Sequence, residues 1–212
     1  MTSIIILAAG KGQRMNLGYN KMNLNFKNKP LYTYPVKKFK DLGYTDIILV
    51  CNDDINYKDC TTVLGGKERM NSVYNGLKAA KGDYVMIHDG ARPFVRDEKI
   101  KEIEEALKTN DAVLLAHRVT DTIKIIDGDK LKTLDRNLLI AAETPQAFKK
   151  SIILKAMEKA IKDHYIPTDD ISLIEKYTDI PVKIIYDDYP NLKLTTQEDI
   201  MMANYLFDKE KL

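Results

Sequence analysis

The stretch Ser3 to Ala9, SIIILAA, is apolar without interruption after its first residue. A strand with one face in water alternates apolar and polar side chains. A strand without alternation has both faces buried, as in a parallel sheet covered by helices. The rest of the chain repeats this theme. Asp46–Cys51, Thr61–Leu64, Asp83–His88, Ala112–His117 and Val182–Tyr186 read as further short strands. Between and after them, helical periodicity predicts helices over about Pro30–Leu42, Glu68–Ala80, Asp97–Lys108, Lys149–Lys162, Asp169–Tyr177 and Thr196–Phe207. In the second of these, Met70, Val73, Leu77 and Ala80 share one face. Such alternation predicts an α/β fold with a mostly parallel sheet.

Composition narrows the functional classes. With 212 residues, one domain spanning 1–212 has room for a sizeable core. Hydrophobic residues at 44% and charged residues at 30% are ordinary for a globular chain and argue against disorder. The net charge is +2, and Lys37-Lys38 and Lys149-Lys150 are the longest basic runs, so no nucleic-acid surface is expected. The apolar start lacks a signal peptide's basic flank and is far shorter than the ~20 residues of a membrane helix. No membrane association is expected, and the cytoplasm is the expected compartment. Cys51 and Cys60 lack metal-ligand spacing and read as packing residues in a reducing environment.

One segment departs from the pattern. Asp121 to Asp135 reads as two strand-like pieces around Asp127-Gly128-Asp129, a hairpin signal. A hairpin this small cannot bury a core alone, so it must lie on its own domain or on a neighbouring subunit.

Three stretches could carry chemistry. LAAGKGQRM, Leu7 to Met15, follows the buried strand directly. Gly10 and Gly12 let the backbone approach phosphate oxygens, and Arg14 and Lys21 could place two permanent cations around a polyphosphate. A structural turn would explain the glycines alone; the order of strand, Gly pair, Arg and Lys favours phosphate. The pattern is neither a Walker loop nor a GxGxxG fingerprint. GGKERMNSV, Gly65 to Val73, could bring backbone against a flat base, with Ser72 hydrogen-bonding; a capped helix start explains it equally, and Arg69 reads as well as a solvated helix residue. HDGARPF, His88 to Phe94, ends a strand on the sheet edge where ligands bind in open α/β folds. There Asp89 could hold a ribose hydroxyl or help position Mg²⁺, and Arg92 could reach an anionic substrate. His88 reads as a packed strand-end residue, and His117 and His164 are assigned no role.

LAAGKGQRM with Lys21, GGKERMNSV, HDGARPF, DTIK, DRN, TPQAF, TDD and NLKLTT occur in one order. Over Ile4 to about Asp199 that series resembles the 2-C-methyl-D-erythritol 4-phosphate cytidylyltransferase family of the non-mevalonate isoprenoid pathway. The resemblance implies a single Rossmann-like domain with helices on both faces of a mostly parallel sheet. It also implies a homodimer in which the hairpin, as an arm, reaches the partner. Carried onto matching positions, Ala8, Ala9, Gly10, Gly66, Lys67 and Ser72 would surround the cytidine, with Asp89 and Gly90 at the ribose. Gly12 belongs to the same nucleotide loop. Arg14, Lys21 and Lys193 would hold the triphosphate. Arg92, Thr122, Arg136, Thr144 and Lys193 would hold the methylerythritol phosphate, with Arg92 and Thr122 supplied by the opposite subunit. Lys67 stands where the family usually has an acidic residue, and Ile140 where relatives often carry Trp.

The implied activity transfers CMP from CTP, the co-substrate, to a methylerythritol or related polyol phosphate. Mg²⁺ or another divalent cation would be held mainly by the CTP phosphates, with Asp89 its candidate protein ligand. Arg14, Lys21, Arg136 and Lys193 would be the catalytic cations. The attacking phosphate is already an anion at neutral pH, so no general base is required. A ribitol-5-phosphate cytidylyltransferase is the nearest alternative, and a non-catalytic nucleotide-binding protein the alternative of another class.

Overall fold

A computed structural model describes residues 1–10, 25–52, 57–188 and 191–210. Strand β1 (Thr2–Leu7) occupies the apolar run, and its side chains alternate between two cores. Ile4 and Ile6 enter one buried cluster and Ile5 the other, which is why every position had to be apolar. The first cluster contains Val36 and Phe39 of helix α1 (Thr33–Asp41), and also Ile100 and Ile103 farther along the chain. The second contains Val73 and Leu77 of helix α2 (Arg69–Ala79). Helices therefore cover both faces of the sheet.

Two short strands, β2 (Asn25–Phe26) and β3 (Lys29–Pro30), pair antiparallel ahead of α1, so the helix begins after Pro30 rather than at it. Next come β4 (Ile47–Cys51) and β5 (Thr61–Leu64), then β6 (Tyr84–Asp89) after α2. Helix α3 (Asp97–Ala106) leads into β7 (Ala112–Arg118). Strands β8 (Lys124–Asp127) and β9 (Lys130–Thr133) form the hairpin, followed by a 3₁₀ turn at Arg136–Leu138 and then β10 (Ile140–Lys149). The chain continues through α4 (Lys150–Lys162), α5 (Ile171–Tyr177), β11 (Lys183–Tyr186) and α6 (Gln197–Glu210).

The main sheet has 7 strands in the order β11-β7-β10-β6-β1-β4-β5. All its strands run parallel except β10, which is antiparallel to both β6 and β7. This central strand is not marked in the sequence, because TPQAF carries a proline inside it. Pro145 lacks the N–H that a regular ladder needs, and it falls where the β10–β7 register shifts between Ala142 and Gln146.

The hairpin stands apart as its own 2-stranded sheet. Its turn is set by Gly128, whose φ of +58° suits a primed hairpin turn. Every residue of β8 and β9 is exposed, so the arm does not fold back on its own domain. Ile126 is 77% exposed, Leu131 69% and, just beyond, Leu138 83%. No helix among the described residues is long and apolar enough to cross a membrane.

Candidate functional site

The carboxyl ends of β1, β4, β5 and β6 lie side by side, and the loops leaving them make the site. Ala8 is buried and its N–H donates to Val50 O at 2.7 Å, which carries the β1–β4 pairing one step past the strand. Ala9 and Gly10 follow at the rim. Gly12, Arg14 and Lys21, the centre of the expected phosphate loop, lie outside the described residues.

On the β5 side, Gly65 packs so closely on the β1 loop that a Cβ there would sit 2.3 Å from Ala9 Cβ. Gly66 is hemmed in by Asn71, with a Cβ–Cβ separation of 2.2 Å if it carried a side chain. Ser72 is buried, and its hydroxyl accepts from the Gly66 N–H at 3.0 Å while donating to Glu68 O at 3.3 Å. That hydroxyl shapes the glycine loop, since its proton is already given to the main chain. Lys67 is exposed beside it.

At the end of β6, Asp89 gathers cations from three parts of the chain. Lys193 Nζ is 2.7 Å from its Oδ2, Arg92 Nε is 3.6 Å from the same oxygen, and Arg69 Nε is 4.0 Å from Oδ1. Burial alone would raise the Asp89 carboxyl, but Lys193, Arg69 and Arg92 hold it well below the usual carboxylate range. With Arg69 also paired to Asp170, three cations face two carboxylates here, which leaves an excess of one positive charge at the sheet edge, suited to an anion. The Gly90 N–H donates to Leu7 O at 2.9 Å, and the Arg92 N–H to Asp89 O at 3.0 Å, closing a tight turn between β6 and the β1 loop.

His88 organises this turn from beneath. It is fully buried, and burial pushes its pKa down to about 4, so the ring is neutral at physiological pH. Its Nε2 lies 3.0 Å from Arg92 O, an atom that only accepts, so Nε2 carries the proton. Nδ1 is then an acceptor and takes the Thr144 hydroxyl at 3.1 Å. That hydroxyl in turn accepts from the Asp89 N–H at 3.1 Å. Both ring nitrogens are committed, so His88 is not available as a general base. Thr144 has given its proton away and can offer a ligand only a remaining lone pair.

The structure thus brings Asp89, Gly90, Arg92, Thr144 and Lys193 together. Within its own chain the Arg92 guanidinium lies against Asp89 and donates to Asn191 O at 2.5 Å. Thr122 and Arg136 lie elsewhere, exposed at the base of the arm, where Arg136 donates to Thr120 O at 3.0 Å. Ile140 is half-buried at the start of β10.

Arg69 joins this cluster rather than standing in solvent. It forms a two-pronged pair with Asp170, at 2.8 and 2.7 Å, while leaning on Asp89. Asp170 is fully buried at the start of α5, where its N–H donates to Gln146 of β10. Asn191 and Glu143 were also missed. Each is tied to a partner far away in the chain, so its contacts leave no local signal; the TDD and NLKLTT segments pointed to Asp170 and Asn191 only as parts of motifs.

No group of three or more His, Cys, Asp or Glu that could hold a metal occurs among the described residues. Asp89 is the one carboxylate at the cluster's centre, and its Oδ2 is already engaged by Lys193.

Fold and cation cluster together define a Rossmann-like α/β protein with its cations gathered at the carboxyl edge of the sheet, the edge where ligands bind in open α/β folds. Among known proteins, a relative from Clostridioides difficile is 40% identical over 100% of this chain and 95% of its own length. One from Geobacillus thermodenitrificans is 44% identical over 94% of this chain and 93% of its own. Both are named 2-C-methyl-D-erythritol 4-phosphate cytidylyltransferase. The crystal structure of 4-diphosphocytidyl-2C-methyl-D-erythritol synthase from Anaerococcus prevotii superposes with a TM-score of 0.86 at 32% identity, covering 98% of each chain. The family profile of 2-C-methyl-D-erythritol 4-phosphate cytidylyltransferase matches residues 2–209, and the chain belongs to that family.

Proposed function

We propose that this chain transfers CMP from CTP to 2-C-methyl-D-erythritol 4-phosphate, giving 4-diphosphocytidyl-2-C-methyl-D-erythritol and pyrophosphate. Family membership supports the substrates. The observation that carries the chemistry is the cluster of Lys193, Arg92 and Arg69 around Asp89.

In the reaction a phosphate oxygen of the polyol phosphate attacks the α-phosphorus of CTP in line. A new P–O bond forms, the bond to the β-phosphate's bridging oxygen breaks, and its electrons leave with pyrophosphate. No proton has to be removed from the nucleophile, in keeping with the neutral and fully engaged His88. The obstacle is the meeting of two polyanions, which positioned cations relieve. Arg14, Lys21 and Lys193 are assigned to the triphosphate. Arg92, Arg136, Thr122 and Lys193 are assigned to the polyol phosphate, with Thr144 holding the turn behind them. Ala8, Ala9, Gly10, Gly12, Gly66 and Lys67 would face the nucleotide, with Ser72 fixing the loop and Asp89 and Gly90 near the ribose.

Asp89 is the residue that would hold Mg²⁺ or another divalent cation beside the triphosphate, and the cation would supply neutralisation of part of the phosphate charge. The arm, with its exposed Ile126, Leu131 and Leu138, is assigned to a second copy of the chain in a homodimer, carrying Thr122 towards the partner. The cytoplasm is the compartment assigned to the enzyme.

The test is pyrophosphate release from CTP and Mg²⁺ with methylerythritol phosphate or ribitol phosphate offered in parallel. Turnover with methylerythritol phosphate is expected. Preference for ribitol phosphate would overturn the substrate, and CTP binding without turnover on either would overturn the enzymatic reading.

A further inference from the structure

Lys193 stands in a segment without regular secondary structure, yet its ammonium reaches Asp89 at 2.7 Å. What fixes that segment is a set of bonds two residues earlier. Asn191 is 2% exposed, and its Nδ2 donates to Thr144 O at 2.8 Å and to Glu143 Oε2 at 3.2 Å. Its carbonyl accepts from Arg92, and farther along the segment the Leu194 N–H donates to Ala91 O at 2.9 Å.

Glu143 is the unexpected member. It is only 4% exposed, and burial raises its carboxyl above the ordinary value. Taking a carboxylate out of water is costly unless its oxygens are hydrogen-bonded, and an apolar residue would fill the same place without that cost. Here both oxygens are used. Oε1 lies 2.7 Å from Nδ1 of the half-exposed His117 on β7, and Oε2 takes the Asn191 amide.

We propose that Glu143 is a positioning residue for the transfer reaction: from β10 it holds Asn191, and through Asn191 it sets where Lys193 presents its ammonium, with His117 as its outward partner. This rests on the cytidylyltransferase reading of Lys193.

Two variants separate the hydrogen bond from mere filling of space. Glu143→Leu removes the acceptor, whereas Glu143→Gln keeps an oxygen for Asn191 and offers an N–H to His117. Hydrogen exchange at the Leu194 amide reports the segment directly, and pyrophosphate release reports function. Glu143→Leu is expected to speed Leu194 exchange about tenfold and to lower kcat/KM for methylerythritol phosphate about tenfold, the size of one buried hydrogen bond to a charged group. Glu143→Gln should restore both to within about threefold of the parent. In a Lys193→Ala background Glu143→Leu should take nothing further from turnover. Unchanged Leu194 exchange in Glu143→Leu would overturn the brace. Faster exchange with parental kcat/KM, or a loss that persists without Lys193, would overturn its role in positioning. Should the parent turn over neither polyol phosphate, the assigned function fails on its own, while the exchange comparison still decides the brace.

Discussion

Acidification should cost this protein stability through His88 in particular. The folded ring is buried with a pKa of about 4, against 6.5 for an ordinary histidine. Between those values the unfolded chain binds a proton at His88 that the folded chain refuses. The contribution is therefore complete above about pH 6.5 and is lost as the pH falls towards 4. At ~1.4 kcal/mol for each unit of pKa difference, the whole loss is about 3 kcal/mol, of which about 2 kcal/mol is gone by pH 5. Two neighbours titrate as well. Asp89, held low, loses its contribution only below the ordinary carboxylate range. Glu143, raised by burial, acts in the opposite sense, since its folded form keeps a proton that the unfolded form has released. Comparison with His88→Gln, which takes up no proton there, removes both. Urea unfolding of parent and variant at pH 7 and pH 5 is the assay. H88Q should be less stable than the parent at pH 7, having given up the ring's two hydrogen bonds. Between the two pH values the parent should lose about 2 kcal/mol more than the variant. Equal losses in the two proteins would refute a neutral, buried His88, and with it the assignment of the Thr144 proton.

Other expectations follow from single contacts. Arg69→Ala strands the fully buried Asp170 carboxylate. Since the Arg69 side chain is 35% exposed, the low end of the cost of a broken buried pair applies, about 3 kcal/mol, and a thermal melt should fall by roughly 6–12 °C; a change under about 2 °C would contradict the pairing. Gly65→Ala, whose Cβ would lie 2.3 Å from Ala9 Cβ, should weaken CTP binding by about tenfold or more in calorimetry, and parental affinity would show that this loop does not face the nucleotide. Lys21→Ala should fold normally and lose about a hundredfold or more in turnover; near-parental turnover would remove Lys21 from the catalytic cations. Ile126→Asp with Leu131→Asp should shift the protein from dimer to monomer in analytical ultracentrifugation, and an unaltered dimer would take the arm out of the interface.

The layered fold was legible in the sequence because burial on two faces leaves a periodic trace. The run from Ser3 to Ala9 became β1 with Ile4 and Ile6 on one side and Ile5 on the other, and Val73 and Leu77 turned inward as their spacing requires. The hairpin was legible from Asp127-Gly128-Asp129, since the turn needs a residue that accepts positive φ. The anion-attracting character of this sheet edge could be read from Arg92 and Lys193 within their motifs, with Asp89 between them.

What the chain pattern did not carry was decided by packing between distant segments. Strand β10 holds a glutamate and a proline that no isolated strand favours; its place between β6 and β7 supplies the missing partners. Arg69 could pass for a surface residue until Asp170, 101 residues further along the chain, came within hydrogen-bonding distance at the start of α5. The hydroxyls of Ser72 and Thr144 could each be read as ligand donors, yet each has a single proton, and tertiary contacts with Glu68 O and His88 spend it inside the protein. Residue type and order determined the kind of chemistry, because charge and periodicity belong to the chain itself. Which donors are spent inside the protein was decided only in three dimensions, because a hydrogen bond belongs to a pair whose members the fold alone brings together.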